Sequence, residues 1–285
     1  MSQRPLMRPA SLLPMSAENG SIMRPDQQIA LITGASSGIG KALAENFAEA
    51  GCDVILAARS VAKMEIQATD LQKRFGIIAH VISADLELPT GATQLHADIK
   101  SRGLTLTALV NNAGYGTFGE FKDATLESQL GMMQLNMTTV VALTKLFLPD
   151  LLATKGKILN LASTAAFQPG PYMAIYYATK AFVLNFSEAI AAELADTGVT
   201  VTAFCPGPTA SGFQDKADMH HSALVKGKHL PSSEEVARKG FRAMQSGRRV
   251  YIPGLKNWLL AQMPRIAPRR LVTRIVMFVT GPVKT

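Results

Sequence analysis

The sequence predicts a doubly wound α/β fold: a parallel sheet of about seven strands with helices on both faces. Three observations carry this reading. Short β-rich runs alternate with helix-length segments, and a glycine closes most of those segments. The β-rich runs are nearly continuous apolar stretches, as expected of strands buried on both faces. The first run leads straight into the glycine-rich turn TGASSGIG (33–40), which opens a helix.

The elements follow in order. QIALIT (28–33) is the first strand, and residues 39–50 form a helix that ends at Gly51. DVILAA (53–58) is the second strand, followed by a helix over 60–75 that ends at Gly76. IIAHVIS (77–83) is the third strand, and the helix over 90–102 ends at Gly103. LTALV (106–110) is the fourth strand, followed by a long helix over 125–153 that is expected to break near Pro149. KILNLAS (157–163), a long helix over 172–196 and VTVTAFC (199–205) come next. A short helix over 232–246 and an edge strand RRVYIP (248–253) complete the pattern. Helices of this length between strands imply right-handed crossovers. No linker interrupts residues 27–253, which read as one domain. Residues 1–26 read as a flexible extension, and 254–285 as a basic, apolar tail.

Composition narrows the function classes. The chain has 285 residues, 47% hydrophobic and 18% charged, a globular balance. No uninterrupted apolar run is long enough for a spanning helix, and the arginine- and proline-containing start lacks the apolar core of a signal peptide. Cys52 and Cys205 each adjoin an apolar run and read as buried thiols in a reducing compartment. His220 and His221 have no Cys or carboxylate cluster around them, so no metal site is expected. The net charge is +8, yet residues 236–285 hold 11 Lys and Arg and no acid, which leaves −3 on the rest of the chain. The basic character therefore belongs to the tail, which suits an anionic membrane surface or an acidic partner. No nucleic-acid reading module accompanies it.

Gly34, Gly38 and Gly40 sit where the first strand turns into a helix. Glycines there let a pyrophosphate approach the backbone, and the helix N-terminus supplies free N–H groups. The spacing G-x-x-x-G-x-G differs from the common dinucleotide fingerprint. TGASSGIG resembles the cofactor motif of the classical short-chain dehydrogenases/reductases. NNAG (111–114), then Asn136, Ser163, Tyr176 and Lys180, and then CPGPT (205–209) follow in that family's order. The resemblance covers residues 28–209, more weakly to about 253, and implies a single-domain Rossmann fold.

The resemblance implies a dinucleotide held by Gly34, Ser36, Ser37, Gly38, Ile39 and Gly40, by Asp85 and Leu86 near the adenine, and by Asn112, Ala113 and Gly114 beneath it. Tyr176, Lys180, Pro206, Gly207 and Thr209 complete the set. Ala58 stands where NAD-preferring members carry an acid, and Arg59 follows with a guanidinium suited to a 2′-phosphate. NADP(H) is the expected cofactor. Asp53 lies at the wrong end of its strand to bind a ribose.

Hydride transfer to a carbonyl needs a proton donor. The stretch IYYATK (175–180) offers two tyrosines. Lys180 lies at i+4 from Tyr176, about 40° around the helix, and at i+3 from Tyr177, about 60° away. This geometry leaves both open; the family spacing Y-x-x-x-K selects Tyr176. Tyr177 is then a packing residue, with a subunit interface as one place for it. A nearby ammonium is expected to lower the tyrosine by about 1–3 units. By the same resemblance Lys180 holds the ribose, Ser163 binds the substrate oxygen, and Asn136 supports a water relay to the lysine.

The expected function is an NADP(H)-dependent carbonyl reductase, or the same enzyme run as an alcohol dehydrogenase, on a partly apolar ketone or aldehyde. A non-catalytic NADP-binding or sensing protein is the alternative, and a nucleotide-sugar epimerase a third. Phe213, Met219, Leu224 and Val225 fall in the segment 211–230, where the family varies its substrate loop. A homodimer or homotetramer is implied through the helices over 125–153 and 172–196. The expected location is cytoplasmic, with the tail either touching a membrane or packing on protein.

Overall fold

The computed structural model describes residues 27–281, apart from 218, 220, 221, 223–226 and 228. The extension over 1–26 and the loop residues His220, His221, Leu224 and Val225 lie outside the described residues. Seven strands build one sheet: β1 (Ile29–Thr33), β2 (Asp53–Ala58), β3 (Ala79–Ser83), β4 (Ala108–Asn111), β5 (Lys157–Leu161), β6 (Thr200–Phe204) and β7 (Val250–Tyr251). Their order is β3-β2-β1-β4-β5-β6-β7, and all neighbours are parallel. The chain winds outward from β1 to β3, then restarts at β4 on the other side of β1. The carboxyl ends of β1 and β4 therefore flank the switch point where open α/β sheets bind ligands.

The unbroken apolar strands have a direct cause. Ala30 and Ile32 of β1 enter one core with α1 (Gly38–Glu49), α2 (Val61–Phe75) and α8 (Ser233–Gln245). Ile29 and Leu31 enter the opposite core with α3 (Gly91–Ser101) and α5 (Thr139–Thr154). Val54 and Leu56 against Ile55 and Ala57 repeat the split in β2. Each large side chain so buried contributes roughly 1.5–3 kcal/mol. β7 is shorter than the run predicted for it, and pairs only with β6.

The long helix runs from Leu126 to Thr154 as α4 (Leu126–Met133), a π turn (Gln134–Thr138) and α5. The break expected near Pro149 does not occur. Pro149 is exposed, and the carbonyl it leaves unpaired belongs to exposed Lys145, within reach of water. The irregularity falls instead at the π turn, which contains Asn136. By length and composition alone this helix could cross a membrane, with a mean hydropathy of 1.3 over its most apolar window. Its apolar residues are interrupted by Glu127, Gln134, Asn136 and Lys145, in keeping with the expectation that no uninterrupted apolar run spans a membrane, and in this fold it lies on the sheet, with Leu143, Phe147 and Leu151 in the core. Asp150 pairs there with Lys100 of α3 at 2.5 Å.

The remaining helices are α6 (Ala174–Glu193), α7 (Phe213–Ala217), α9 (Leu255–Gln262) and α10 (Arg269–Thr280). The tail does not trail away. Val272 and Val276 of α10 are buried with Met173, Tyr177, Ala217 and Met219. Thr280 donates to the Pro171 carbonyl and accepts, through its own carbonyl, from Ser222. A Cβ on Gly207 would come within 2.9 Å of Asn257, so α9 lies directly on the segment after β6.

Candidate active site

The glycine turn is built by steric demand. Gly34 (φ +65°) and Gly38 (φ +54°) adopt the left-handed conformation that L side chains avoid. A Cβ on Gly40 would collide with the Gly34 carbonyl and the Asn112 amide. The first turn of α1 thus packs against the end of β1, and its residues Gly38, Ile39 and Gly40, whose N–H groups have no partner within the helix, line a cavity.

Thr33, which sequence reading passed over, ties this turn to NNAG. Its hydroxyl donates to the Val110 carbonyl and accepts from the backbone N–H of Asn112 and of Ala113, both at 3.0 Å. The Asn112 amide donates back to the Thr33 carbonyl at 2.8 Å. Ile32 and Val110 are register partners, so Thr33 and the NNAG turn leave the sheet side by side. Only the pairing of β1 with β4 reveals this role.

Arg59 follows β2 and is largely exposed. Its guanidinium lies 3.5 Å from Glu87, whose other oxygen lies 3.0 Å from the Tyr115 hydroxyl. Burial pushes the Tyr115 phenol up to about 12, and the bond to Glu87 adds to the shift. Asp85 accepts from the backbone N–H of Glu87 at 3.1 Å. Glu87 and Tyr115 are further residues that the sequence did not single out.

Ser163 ends the segment after β5. Its hydroxyl accepts from the Ala165 N–H at 3.1 Å and lies 3.4 Å from the Pro206 carbonyl. Tyr176 and Lys180 follow on α6. The Lys180 ammonium donates to the Leu161 carbonyl at 2.6 Å and sits 5.8 Å from the centre of the Tyr176 ring. Asn136 points out of the π turn: its oxygen accepts from the Tyr115 N–H, and its amide donates to the Tyr115 carbonyl and to Thr179. Thr179 in turn donates to the Tyr176 carbonyl at 2.8 Å. A Cβ on Gly114 would stand 2.9 Å from Asn136 and 3.7 Å from Lys180, so only glycine fits between them.

The expected lowering of the tyrosine is reversed in the protein alone. Burial pushes Tyr176 up to about 12, against an opposing hydrogen bond with Ser163. Burial also pushes Lys180 down to about 8. The lysine therefore loses its charge before the phenol would ionise, and no ammonium remains to help the phenolate. Burial likewise raises Cys52 and Cys205, so both thiols stay protonated.

Tyr177 is buried within the chain. Its ring fills the space where Gly170 would otherwise carry a Cβ, and it joins α10 in one apolar cluster. Phe213 meets the Tyr176 ring at 5.2 Å.

The glycine turn, the NNAG turn, Arg59 and the Ser163–Tyr176–Lys180 group border one cavity of about 680 Å³. It is lined by every residue expected to hold a cofactor, and by Ser163, Tyr176 and Lys180. Asn136 lies behind it, one hydrogen bond away through Tyr115. The tail helices close it with Leu260, Ala261, Ile275, Val276 and Val279, none of which sequence reading connected to the site.

The short chain dehydrogenase family matches residues 28–221. Among similar proteins, 17-beta-hydroxysteroid dehydrogenase type 3 of Mus musculus is 35% identical over 192 residues, 65% of this chain and 61% of that one. Very-long-chain 3-oxoacyl-CoA reductase-B of Danio rerio is 33% identical over 197 residues, 66% of this chain and 62% of that one. This chain thus spans about three fifths of the length of each. In structure it resembles a short-chain dehydrogenase from Sphingobium yanoikuyae solved in complex with NADPH. The TM-score is 0.75 at 28% identity, covering 90% of this chain and 98% of that one. With its parallel sheet, its glycine turn and this family match, the chain belongs to the short chain dehydrogenases.

Proposed function

We propose that the chain is an NADP(H)-dependent oxidoreductase that reduces a partly apolar ketone or aldehyde, and that residues 27–253 form the catalytic unit. The observation that carries this is the single cavity shared by the glycine turn, Arg59, Ser163, Tyr176 and Lys180. The residues present fit a dinucleotide. Gly34 and Gly40 leave a cradle that a Cβ would fill, and α1 offers N–H groups to a pyrophosphate. Arg59 has only a long contact to Glu87 and can turn to a 2′-phosphate, while Ala58 presents no repelling acid. Asp85, Leu86, the NNAG turn, Lys180 and the segment Pro206–Thr209 complete the binding set.

The bound cofactor supplies the hydride donor or acceptor. Tyr176 is protonated at neutral pH, so the form present is the proton donor, which favours reduction. Ser163 is the hydrogen-bond donor to the carbonyl oxygen. Lys180 spends one N–H on the Leu161 carbonyl and keeps others for the ribose hydroxyls. Asn136 holds the Tyr115 backbone and, through Thr179, the start of α6 in place. The apolar cap residues suit a bulky carbonyl compound. Relatives named for hydroxysteroid and very-long-chain 3-oxoacyl substrates support that class. A neighbour in complex with NADPH supports the cofactor.

A homodimer or homotetramer through the helices over 126–154 and 174–193 belongs to the same reading. Leu126, Leu130, Val141 and Phe182 are exposed on them. A cytoplasmic protein with membrane contact through its tail fits the charge distribution. The test is NADPH absorbance against a panel of carbonyl compounds. Turnover of bulky apolar ketones with a lower KM for NADPH than for NADH is expected. A lower KM for NADH would overturn the cofactor, and no turnover on any carbonyl would overturn the activity.

A further inference from the structure

The cap made by α9 and α10 is apolar on two sides. Its inner side is accounted for: Ala261, Val272 and Val276 are buried. Its outer side is not. On α9, Leu255, Trp258 and Leu259 fall on one arc and are 73%, 48% and 52% exposed. On α10, Leu271, Ile275 and Phe278 share another arc and are 49%, 51% and 87% exposed. Surface helices of soluble domains place polar residues on that outward arc.

The charges of the cap have one sign. Residues 254–281 contain Lys256, Arg265, Arg269, Arg270 and Arg274 and no acid. On the α10 wheel, Arg270 and Arg274 border the exposed apolar arc. A second copy of this chain seated on the face would bring like charges together. An anionic lipid surface satisfies both features: acyl chains take the apolar arcs, and headgroups take the cations.

The face is also continuous with the cavity. Leu260, Ile275 and Val279 line the cavity, yet are 54%, 51% and 40% exposed. An apolar molecule leaving the lipid would meet apolar side chains along the whole way in.

We propose that the outer face of α9 and α10 docks on an anionic lipid surface, and that the substrate enters the cavity between these helices directly from the lipid. The entry route rests on the proposed reductase function; the docking does not.

The test uses the full chain and vesicles of phosphatidylcholine with or without phosphatidylserine. Sedimentation with the phosphatidylserine vesicles, weakened by salt, is expected. Leu259→Ser with Phe278→Ser should reduce it at least about tenfold, since neither residue lines the cavity and both lose apolar contact with lipid. Arg270→Gln with Arg274→Gln should reduce it about thirtyfold on the anionic vesicles alone. Failure of the wild type to sediment, or sedimentation of both double variants equal to that of the wild type, overturns the docking. So does a dimer in size-exclusion chromatography that Leu259→Ser with Phe278→Ser dissociates, since that face would then be a subunit interface. For the route, a long-chain ketone supplied in vesicles should show a raised KM in the apolar double variant, while a short soluble ketone keeps its kcat/KM. An unchanged KM for the vesicle-borne ketone overturns the route. Loss of turnover on the soluble ketone in the wild type would defeat the reductase reading while leaving the sedimentation result standing.

Discussion

Tyr176 and Tyr177 are neighbours on α6, their rings 6.2 Å apart, yet they face different surroundings. Consecutive residues on a helix diverge by about 100°, so only one can face Ser163. Tyr176 faces Ser163, which opposes the upward shift of its phenol, and meets the Phe213 ring at a 50° tilt; Tyr177 fills the gap at Gly170 and backs α10. Tyr176→Phe should therefore lower kcat by about 10²–10⁴, the usual range for loss of a positioned acid. Tyr177→Phe should keep most of the activity. Steady-state rates of the two variants decide, and the reverse pattern would exchange their roles.

Lys180 gives a second prediction at the same scale. Burial lowers its pKa in the folded protein to about 8 from 10.5. The unfolded chain therefore binds the extra proton between these values, and the lysine contribution to stability rises with pH across that window. Below pH 8 the fold bears the full cost of the buried charge, of the order of 3 kcal/mol. Cys52 and Cys205 shift the other way and oppose this trend, so the comparison must be with a variant that keeps them. Lys180→Met without cofactor should be more stable than the wild type at pH 7, and the gain should shrink from pH 8 to 10.5. Urea unfolding at several pH values measures it; a constant difference would contradict the burial argument.

At the scale of elements, two buried polar side chains of the long helix, Asn136 and Asp150, have separate tasks. The π turn lets Asn136 reach the Tyr115 backbone and Thr179 at once. One turn beyond the midpoint of α5, Asp150 accepts from Lys100 and from the Leu106 N–H at 3.0 Å, which clips α5 to α3 and to the approach of β4. Asp150→Asn should cost about 1–3 kcal/mol, because the lysine loses its counter-charge and the N–H loses a charged acceptor. The residue lies away from the cavity, so the midpoint of unfolding should fall while kcat of the folded enzyme holds. Denaturant melts beside activity at low temperature would separate the two.

For the whole molecule, the tail decides the shape of the cavity. Val272 and Val276 anchor α10 against Met173, Tyr177 and Met219. Val272→Ala with Val276→Ala loosens the cap without touching the glycine turn. The KM for a bulky apolar ketone should rise several-fold while the KM for NADPH stays near the wild-type value; equal rises in both would mean that the cap supports the cofactor end instead.

Most of the sheet was legible in the chain. Strands such as IALIT are buried at every position because both faces are covered, and the glycines after helices mark where each crossover stops. The cofactor turn was legible because glycine tolerates φ values that other residues avoid. The position of the helix irregularity was misread: proline is the visible breaker, but at an exposed position the lost bond is made up by water. Thr33 and Thr179 were missed because their value lies in bonds to residues far along the chain or on another helix.

The sequence by itself determined the order of strands and helices, the glycine cradle and the spacing of Tyr176 and Lys180, since these follow from local sterics and helix geometry. Only the tertiary structure decided that burial holds Tyr176 protonated, that Glu87 and Tyr115 border Arg59, and that the basic tail becomes one wall of the cavity. Each of these depends on which distant segments exclude water from a given group, and that is settled only when the chain packs.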